Sequence, residues 1–273
     1  MLIVGKNKSR IAILKKELSN LLAMKDLGPT KKILGIQIYQ DRHKKKLYLS
    51  QKEYIEKVLK RFNMTEKKVV STPLAKHFKL STTQSPSTNK EKNEMSSIPY
   101  SSAVGSFIYA MICTRPDIAH AVGTVSIFLS DPGKEHWGAV KWILRYFKGT
   151  SDMELCFGSG KSELVCYTDS DLGGNLDNSK SNSGYLITFG GGAISWQSRL
   201  QKCIALSTTE AEYTANTECA MELLWMKEFI KDLDFEQSRF VLFCDNQSLF
   251  ISPSTVPFIL SPSILVENIS RLE

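Results

Sequence analysis

The stretch Cys166-Tyr167-Thr168-Asp169-Ser170-Asp171-Leu172-Gly173-Gly174 ends an apolar run in two aspartates one residue apart, followed by two glycines. Alternation along a short apolar segment closed by a turn signal is a strand pattern, and it sends Asp169 and Asp171 to the same side. Two like charges side by side repel. Such a pair serves either a turn, with Asp171 capping the reversal at Gly173 and Gly174, or a cation that draws on further carboxylates. Two candidates stand downstream. From Ser207 to Ile230 the pattern is helical: Glu210 stands three residues after Ser207, the spacing of a capping box. Glu212 instead opens a stripe through Asn216, Cys219, Leu223, Met226 and Ile230 that becomes the helix's apolar face. An ionised carboxylate on an inward face is costly unless a cation is near. Asp245 ends the apolar run Phe240 to Cys244 and alone reads as a helix N-cap. Together, Asp169, Glu212 and Asp245 offer the hard oxygen ligands that Mg²⁺ prefers, and two such ions about 3.5–4 Å apart can activate water in phosphodiester hydrolysis.

The elements that must position these groups follow from periodicity. After residue 150, β-type runs at Met153 to Phe157, Leu164 to Thr168, Gly184 to Phe189 and Ala193 to Gln197 precede a helix from Thr208 to about Lys231 and a strand from Phe240 to Cys244. Strands, helix, strand describe a mixed α/β layer. Upstream, residues 98–150 read as three helices: Tyr100 to Thr114, a second after the break at Pro116, and a third opened by Asp131 as N-cap with Pro132 at the first helical position. Residues 71–97, rich in Ser, Thr, Lys and Pro, read as a linker. Within 1–70, Met1 to Gly5 reads as a buried strand and Ser9 to Met24 as an amphipathic helix. Ile33 to Tyr39 and Lys46 to Leu49 read as strands around a charged loop, and the next helix is capped by Ser50 with Glu53 three residues on.

Charge is distributed unevenly. Of 35 Lys and Arg residues, 18 lie in the first 70 positions against 6 acids, leaving 17 against 22 in the remainder, within a net charge of +7. A basic block of this kind suits phosphate backbone or an anionic membrane surface, and it is equally the composition of a solvated face. The six cysteines are scattered in apolar runs without C-x-x-C spacing or a nearby His, which predicts reduced core residues, an intracellular setting in cytoplasm or nucleus, and neither a disulfide scaffold nor a zinc site. No apolar run has the length of a signal-peptide core or a membrane span, so no membrane partner is expected.

The order of these motifs resembles a known family. Residues 151–250, through "YTDSDLGGNLDNSKSNSGYLITFGGGAISWQSRLQKCIALSTTEAEYTA" and "FCDNQS", resemble the ribonuclease H domain of Ty1/copia-type retrotransposon Pol polyproteins. Residues 1–150 resemble the C-terminal end of the reverse transcriptase just upstream, through "MKDLGPTKKILGIQIY", "LSQKEYIEKVLKRFNM", "STPL" and "PYSSAVGSFIYAMICTRPDIAHAV". The resemblance implies an α/β fold: a ribonuclease H-like sheet with packed helices (151–273), preceded by a partial palm, thumb and connection segment. It also implies that the Tyr-x-Asp-Asp polymerase motif lies before the first matching residue, so polymerisation by this chain alone is not expected. Other Pol segments are implied as partners. Carried over residue by residue, the family's acids fall on Asp169, Glu212 and Asp245. Leu265 stands at one further acidic position and Glu267 at the other, where the tail "SPSILVENISRLE" departs from the family pattern. The implied reaction is cleavage of RNA in an RNA–DNA hybrid with two Mg²⁺ ions, with Lys180, Ser181 and Ser183 contacting phosphate or the ribose 2′-hydroxyl. The competing expectation is an inactive remnant that at most binds nucleic acid or serves as an interaction module.

Overall fold

Two sheets and a helical bundle between them account for the ordered chain in the computed structural model, which describes residues 2–5, 7–235, 237, 240–245 and 264–268. α1 (Lys8–Leu21), capped by the Asn7 side chain, buries none of its residues. Residues 2–5 carry no strand, and Leu2 and Val4 are exposed, which overturns the buried opening strand: its apolar residues find no sheet to join. The first sheet is antiparallel in the order β1 (Lys32–Ile33), β2 (Ile36–Asp41), β3 (Lys46–Ser50), β4 (Glu154–Phe157). β4 was grouped by sequence with the later strands, but it pairs with β3 from Leu47 opposite Phe157 to Ser50 opposite Glu154. α2 (Lys52–Arg61) starts without the Ser50 capping box, because Glu53 turns instead to Lys32 and Gln37.

α2, α4 (Tyr100–Cys113), α5 (Ala119–Ser126) and α6 (Lys134–Gly149) enclose one core around Ile55, Phe107, Ile118, Val122, Ile143 and Phe147. The break between α4 and α5 is a 3₁₀ turn at Pro116–Ile118, as proline at its first position requires. α6 begins two residues later than the Asp131-Pro132 signal suggests, with Gly133 at the cap. The segment 71–97 is ordered against this bundle. It contains a 3₁₀ turn (Thr82–Gln84) and α3 (Asn89–Ser96), buries Leu80 and Met95, and receives Trp142 Nε1–H at the Thr72 carbonyl (2.9 Å). Asp177, distant in sequence, accepts from Ser81 Oγ (2.7 Å), Thr82 Oγ1 (2.9 Å) and Thr82 N (3.0 Å).

His136 locks this strap to α6. Its buried ring accepts from Gly133 N at Nδ1 (2.8 Å) and donates from Nε2 to the Ser81 carbonyl (3.1 Å), the neutral tautomer that satisfies both partners. Burial lowers its pKa below the usual histidine value, against the opposing pull of the Ser81 carbonyl, Asp177, Asp131 and Glu135. A folded pKa below the unfolded one means that the unfolded chain takes up the proton first. The His136 contribution is therefore complete above about pH 6.5 and is lost as pH falls from there through the folded value. Urea unfolding between pH 7.5 and 5 should show a steeper loss of stability in the parent than in His136→Gln; equal slopes would exclude this role.

The second sheet has the order β7 (Gly192–Leu200), β6 (Asn182–Phe189), β5 (Val165–Ser170), β8 (Phe240–Cys244), β9 (Ile264–Asn268). Its first three strands form an antiparallel meander, and β8 and β9 run parallel to β5, so the strands in sequence order lie 3-2-1-4-5 across the sheet. α7 (Thr208–Asp232) covers one face, burying Ala215, Cys219, Ala220, Leu223 and Ile230 against Leu164, Cys166, Ile187 and Leu242. α5 packs on β7, and Trp196 Nε1–H donates to the Met111 carbonyl (3.0 Å), so the bundle and this sheet are joined.

Candidate metal centre

β5 alternates as its sequence dictates: Cys166 and Thr168 are buried toward α7, and Asp169 is exposed on the other side. Parallel pairing sets Tyr167 level with Phe243, which brings Asp245, two residues on, level with Asp169. On α7 the Ser207 hydroxyl accepts from Glu210 N (3.2 Å) and Glu210 Oε2 accepts from Leu206 N (2.8 Å), so Glu210 is occupied at the cap. Two residues further, Glu212 is 5% exposed and faces the sheet. Its Oε1 accepts from both Ser170 N and Ser170 Oγ at 3.0 Å. One turn on, the Asn216 amide oxygen accepts from Thr168 Oγ1, fixing helix against strand beside the carboxylates.

Asp169, Glu212 and Asp245 each bring a carboxylate oxygen within 4.8 Å of the others. Glu212 Oε2 is buried with no hydrogen-bond partner among the described residues. Burial raises the Glu212 pKa above the usual carboxylate range, the two Ser170 bonds pull the other way, and the negative charges of Asp245 and Asp169 add to the rise. A buried, orphaned carboxylate oxygen aimed among two further carboxylates fits a divalent cation. A cation there would offset the charge of the three acids and give Oε2 the contact it lacks.

Asp171, by contrast, serves the turn. Its Oδ1 accepts from Asn182 N (2.5 Å), and its own N–H reaches the Asn182 carbonyl (3.2 Å), closing the β5–β6 connection. The two glycines follow from this closure: Gly173 has φ +64°, and a Cβ on Gly174 would lie 1.9 Å from Asp171 Oδ2.

Glu267 is half-buried in β9 opposite Phe243, and among the described residues the acidic cluster contains only the other three carboxylates. Ser181 and Ser183 are buried, at 0% and 4% exposure, and their hydroxyls accept from Gly173 N (3.1 Å) and Gln201 Nε2 (2.8 Å). Both hydroxyls are thus engaged inside the fold. Lys180 is half-buried and donates from Nζ to the Lys202 carbonyl (2.8 Å). The expectation of six reduced cysteines also fails at one pair, since Cys166 of β5 and Cys219 of α7 are joined as a disulfide beneath the cluster.

Sequence reasoning missed one wall of the site. A cleft of about 900 Å³ is lined by Asp169, Asp171 and Asp245 together with Pro116, Asp117, Ala119 and His120 of the bundle. The only local sign was the Pro116 helix break, which says where a helix stops and not what its end faces. Among the described residues, no helix is long and apolar enough to cross a membrane.

Comparison with known proteins bears on the N-terminal part first. Residues 1–76 match the family model for reverse transcriptase (RNA-dependent DNA polymerase). Over 248 residues, 91% of this chain, the sequence is 60% identical to the retrovirus-related Pol polyprotein from transposon TNT 1-94 of Nicotiana tabacum, of which that stretch is 19%. Over 248 residues it is 35% identical to the retrovirus-related Pol polyprotein from transposon RE1 of Arabidopsis thaliana, covering 90% of this chain and 16% of the relative. An uncharacterized mitochondrial protein of Arabidopsis thaliana is 34% identical over 226 residues, 82% of this chain and 90% of the relative. The chain thus spans less than a fifth of the length of the polyproteins it matches. No solved structure matches it.

Proposed function

Since the chain belongs to the Ty1/copia-type retrotransposon Pol family and includes the C-terminal part of its reverse transcriptase region, we propose that its second sheet is a ribonuclease H-type nuclease that cleaves the RNA strand of RNA–DNA hybrids. The observation that carries this reading is the convergence of Asp169, Glu212 and Asp245 within 4.8 Å around a buried, unpartnered Glu212 oxygen. The 3-2-1-4-5 strand order with α7 on one face supports it, because that arrangement sets two strand-end aspartates side by side and turns a helical glutamate toward them.

Asp169 and Asp245 would hold Mg²⁺ from the sheet edge, and Glu212 from below. Bound there, Mg²⁺ lowers the pKa of a ligand water and neutralises charge on a scissile phosphate. The chain's own groups orient this centre: Ser170 fixes one oxygen of Glu212, the Thr168–Asn216 bond fixes the helix register, and the cleft wall at Asp117 and His120 limits how a strand can lie. Without Glu267 in the cluster, the geometry is less constrained, and a misplacement of about 1 Å can cost on the order of 10²-fold in rate. Slow cleavage is expected.

The test is a labelled RNA–DNA hybrid incubated with purified protein and Mg²⁺, with the product ends analysed. The expected products carry 5′-phosphate and 3′-hydroxyl ends, and Glu267→Gln leaves the rate within about twofold. Products with 2′,3′-cyclic phosphate, formed without metal, would refute the reading. A large loss in Glu267→Gln would refute the three-carboxylate assignment.

A further inference from the structure

The β2–β3 hairpin tip, Arg42 to Lys46, is the most concentrated positive charge on the described surface that no fold contact consumes. Arg42, Lys44 and Lys45 are exposed, and none of Arg42, Lys44, Lys45 and Lys46 enters an ion pair among the described residues. Lys32 and Lys52, by comparison, are neutralised by Glu53 and Asp152. The tip is also rigidly shaped. Asp41 Oδ1 accepts from both His43 N and Lys44 N at 3.0 Å, so the one acid of the run serves the turn, and β2 and β3 pair over five rungs.

The hairpin has a fixed place relative to the carboxylates. Gly158, at φ +97°, lets the end of β4 close on it, since a Cβ there would lie 2.2 Å from the Lys45 carbonyl oxygen. Gly158 N donates to the Gly190 carbonyl (2.7 Å), and Gly190 N donates to the Lys161 carbonyl (3.1 Å), so the hairpin abuts the β6–β7 turn. Asp169 pairs with Gly184 at the start of β6. From Gly184 to Gly190 the strand runs about 20 Å at ~3.3 Å per residue. The basic tip, on the first sheet, thus abuts the β6–β7 end of the second sheet, and the acidic cluster stands at the other end of β6, about 20 Å along that strand.

We propose that this hairpin tip is a second contact for the phosphate backbone of the same duplex whose RNA strand enters the carboxylate cleft. The proposal rests on the nuclease reading and adds a length requirement to it. A separation of about 20 Å corresponds to about six base pairs at ~3.4 Å per phosphate along a strand. A shorter hybrid reaches one contact or the other; a longer one reaches both.

Binding of fluorescent hybrids of about 5 and about 16 base pairs to the full chain, with Ca²⁺ in place of Mg²⁺ and over a range of salt, tests this. The variant is Arg42→Ala/Lys44→Ala/Lys45→Ala, all exposed. The control, Lys8→Ala/Lys16→Ala/Lys25→Ala, removes equal charge from exposed positions of the N-terminal region. On the longer hybrid the hairpin variant should bind at least about 10-fold more weakly, with a salt slope smaller by about 2–3. The control should lose clearly less, and the short hybrid, which can still seat at the cation-loaded cleft alone, should lose less than the long one. Equal loss in both variants, equal loss on both lengths, or an unaffected hairpin variant would overturn the proposal. Parallel Mg²⁺ cleavage by the parent separates the two ideas: hairpin-dependent, length-dependent binding without cleavage would sink the nuclease reading and leave the contact standing.

Discussion

Arg115→Ala should lower the unfolding free energy by about 3–5 kcal/mol, the cost of breaking a buried ion pair from one side. The Arg115 side chain is 1% exposed and makes a two-pronged pair with Asp117, Nε to Oδ1 at 2.9 Å and Nη2 to Oδ2 at 2.7 Å. Its remaining donors reach the Thr150 carbonyl (3.1 Å) and hydroxyl (2.6 Å), and its plane lies near the Phe147 and Tyr146 rings. One side chain therefore ties the end of α4 to the 3₁₀ turn and to the end of α6. Lysine cannot reproduce the fork, so Arg115→Lys should recover little of the loss. Because Asp117 and Ala119 line the acidic cleft, the same substitution should also loosen that wall. Urea unfolding is the measurement, and a loss below about 1 kcal/mol in the alanine variant would show that the pair does not organise the bundle.

Glu212→Gln should separate stability from function. In the metal-free chain, Glu212 bears the cost of burial and the repulsion of Asp169 and Asp245, which raise its pKa. Since its folded pKa lies above the unfolded one, its contribution is complete below the usual carboxylate range. That contribution is lost as pH rises through the folded value. Glutamine keeps the oxygen that accepts from Ser170 and removes the charge, so the metal-free variant should be more stable than the parent at neutral pH and should lack that pH dependence. Hybrid cleavage should fall by about 10²-fold or more, because the ligand that fixes the metal to α7 is gone. A variant that is less stable without metal, or equally active, would contradict this placement of Glu212.

How far the sequence could be read depended on the range of the forces involved. Strand alternation and the stripe from Glu212 to Ile230 are local patterns, and they located β5 to β8, α7 and the inward turn of Glu212 from residue types alone. The distinction between Glu210 and Glu212 was legible because a capping box has a fixed spacing. Pairing between distant strands was not legible: nothing within Glu154–Phe157 says that it adds to β3 rather than to β5. The segment 71–97 misled because its order comes from side-chain bonds to Asp177, Trp142 and His136, which composition does not record. The burial of Ser181 and Ser183 was likewise not legible, since a hydroxyl satisfied inside a hairpin has the same letter as one offered to a ligand. Residues 246–263 lie outside the described residues, so the path from Asp245 to Glu267 bears on the fourth acid only as an expectation.

The most direct measurement is cleavage of an RNA–DNA hybrid by the intact 273-residue chain in Mg²⁺, beside Asp169→Asn and a chelator control. The expected result is slow cleavage of the RNA strand alone that disappears with chelator and in Asp169→Asn, while that variant still binds the hybrid. Cleavage that survives Asp169→Asn, or a well-folded parent that binds the hybrid and never cuts it in Mg²⁺, would contradict a metal-dependent nuclease built on Asp169, Glu212 and Asp245.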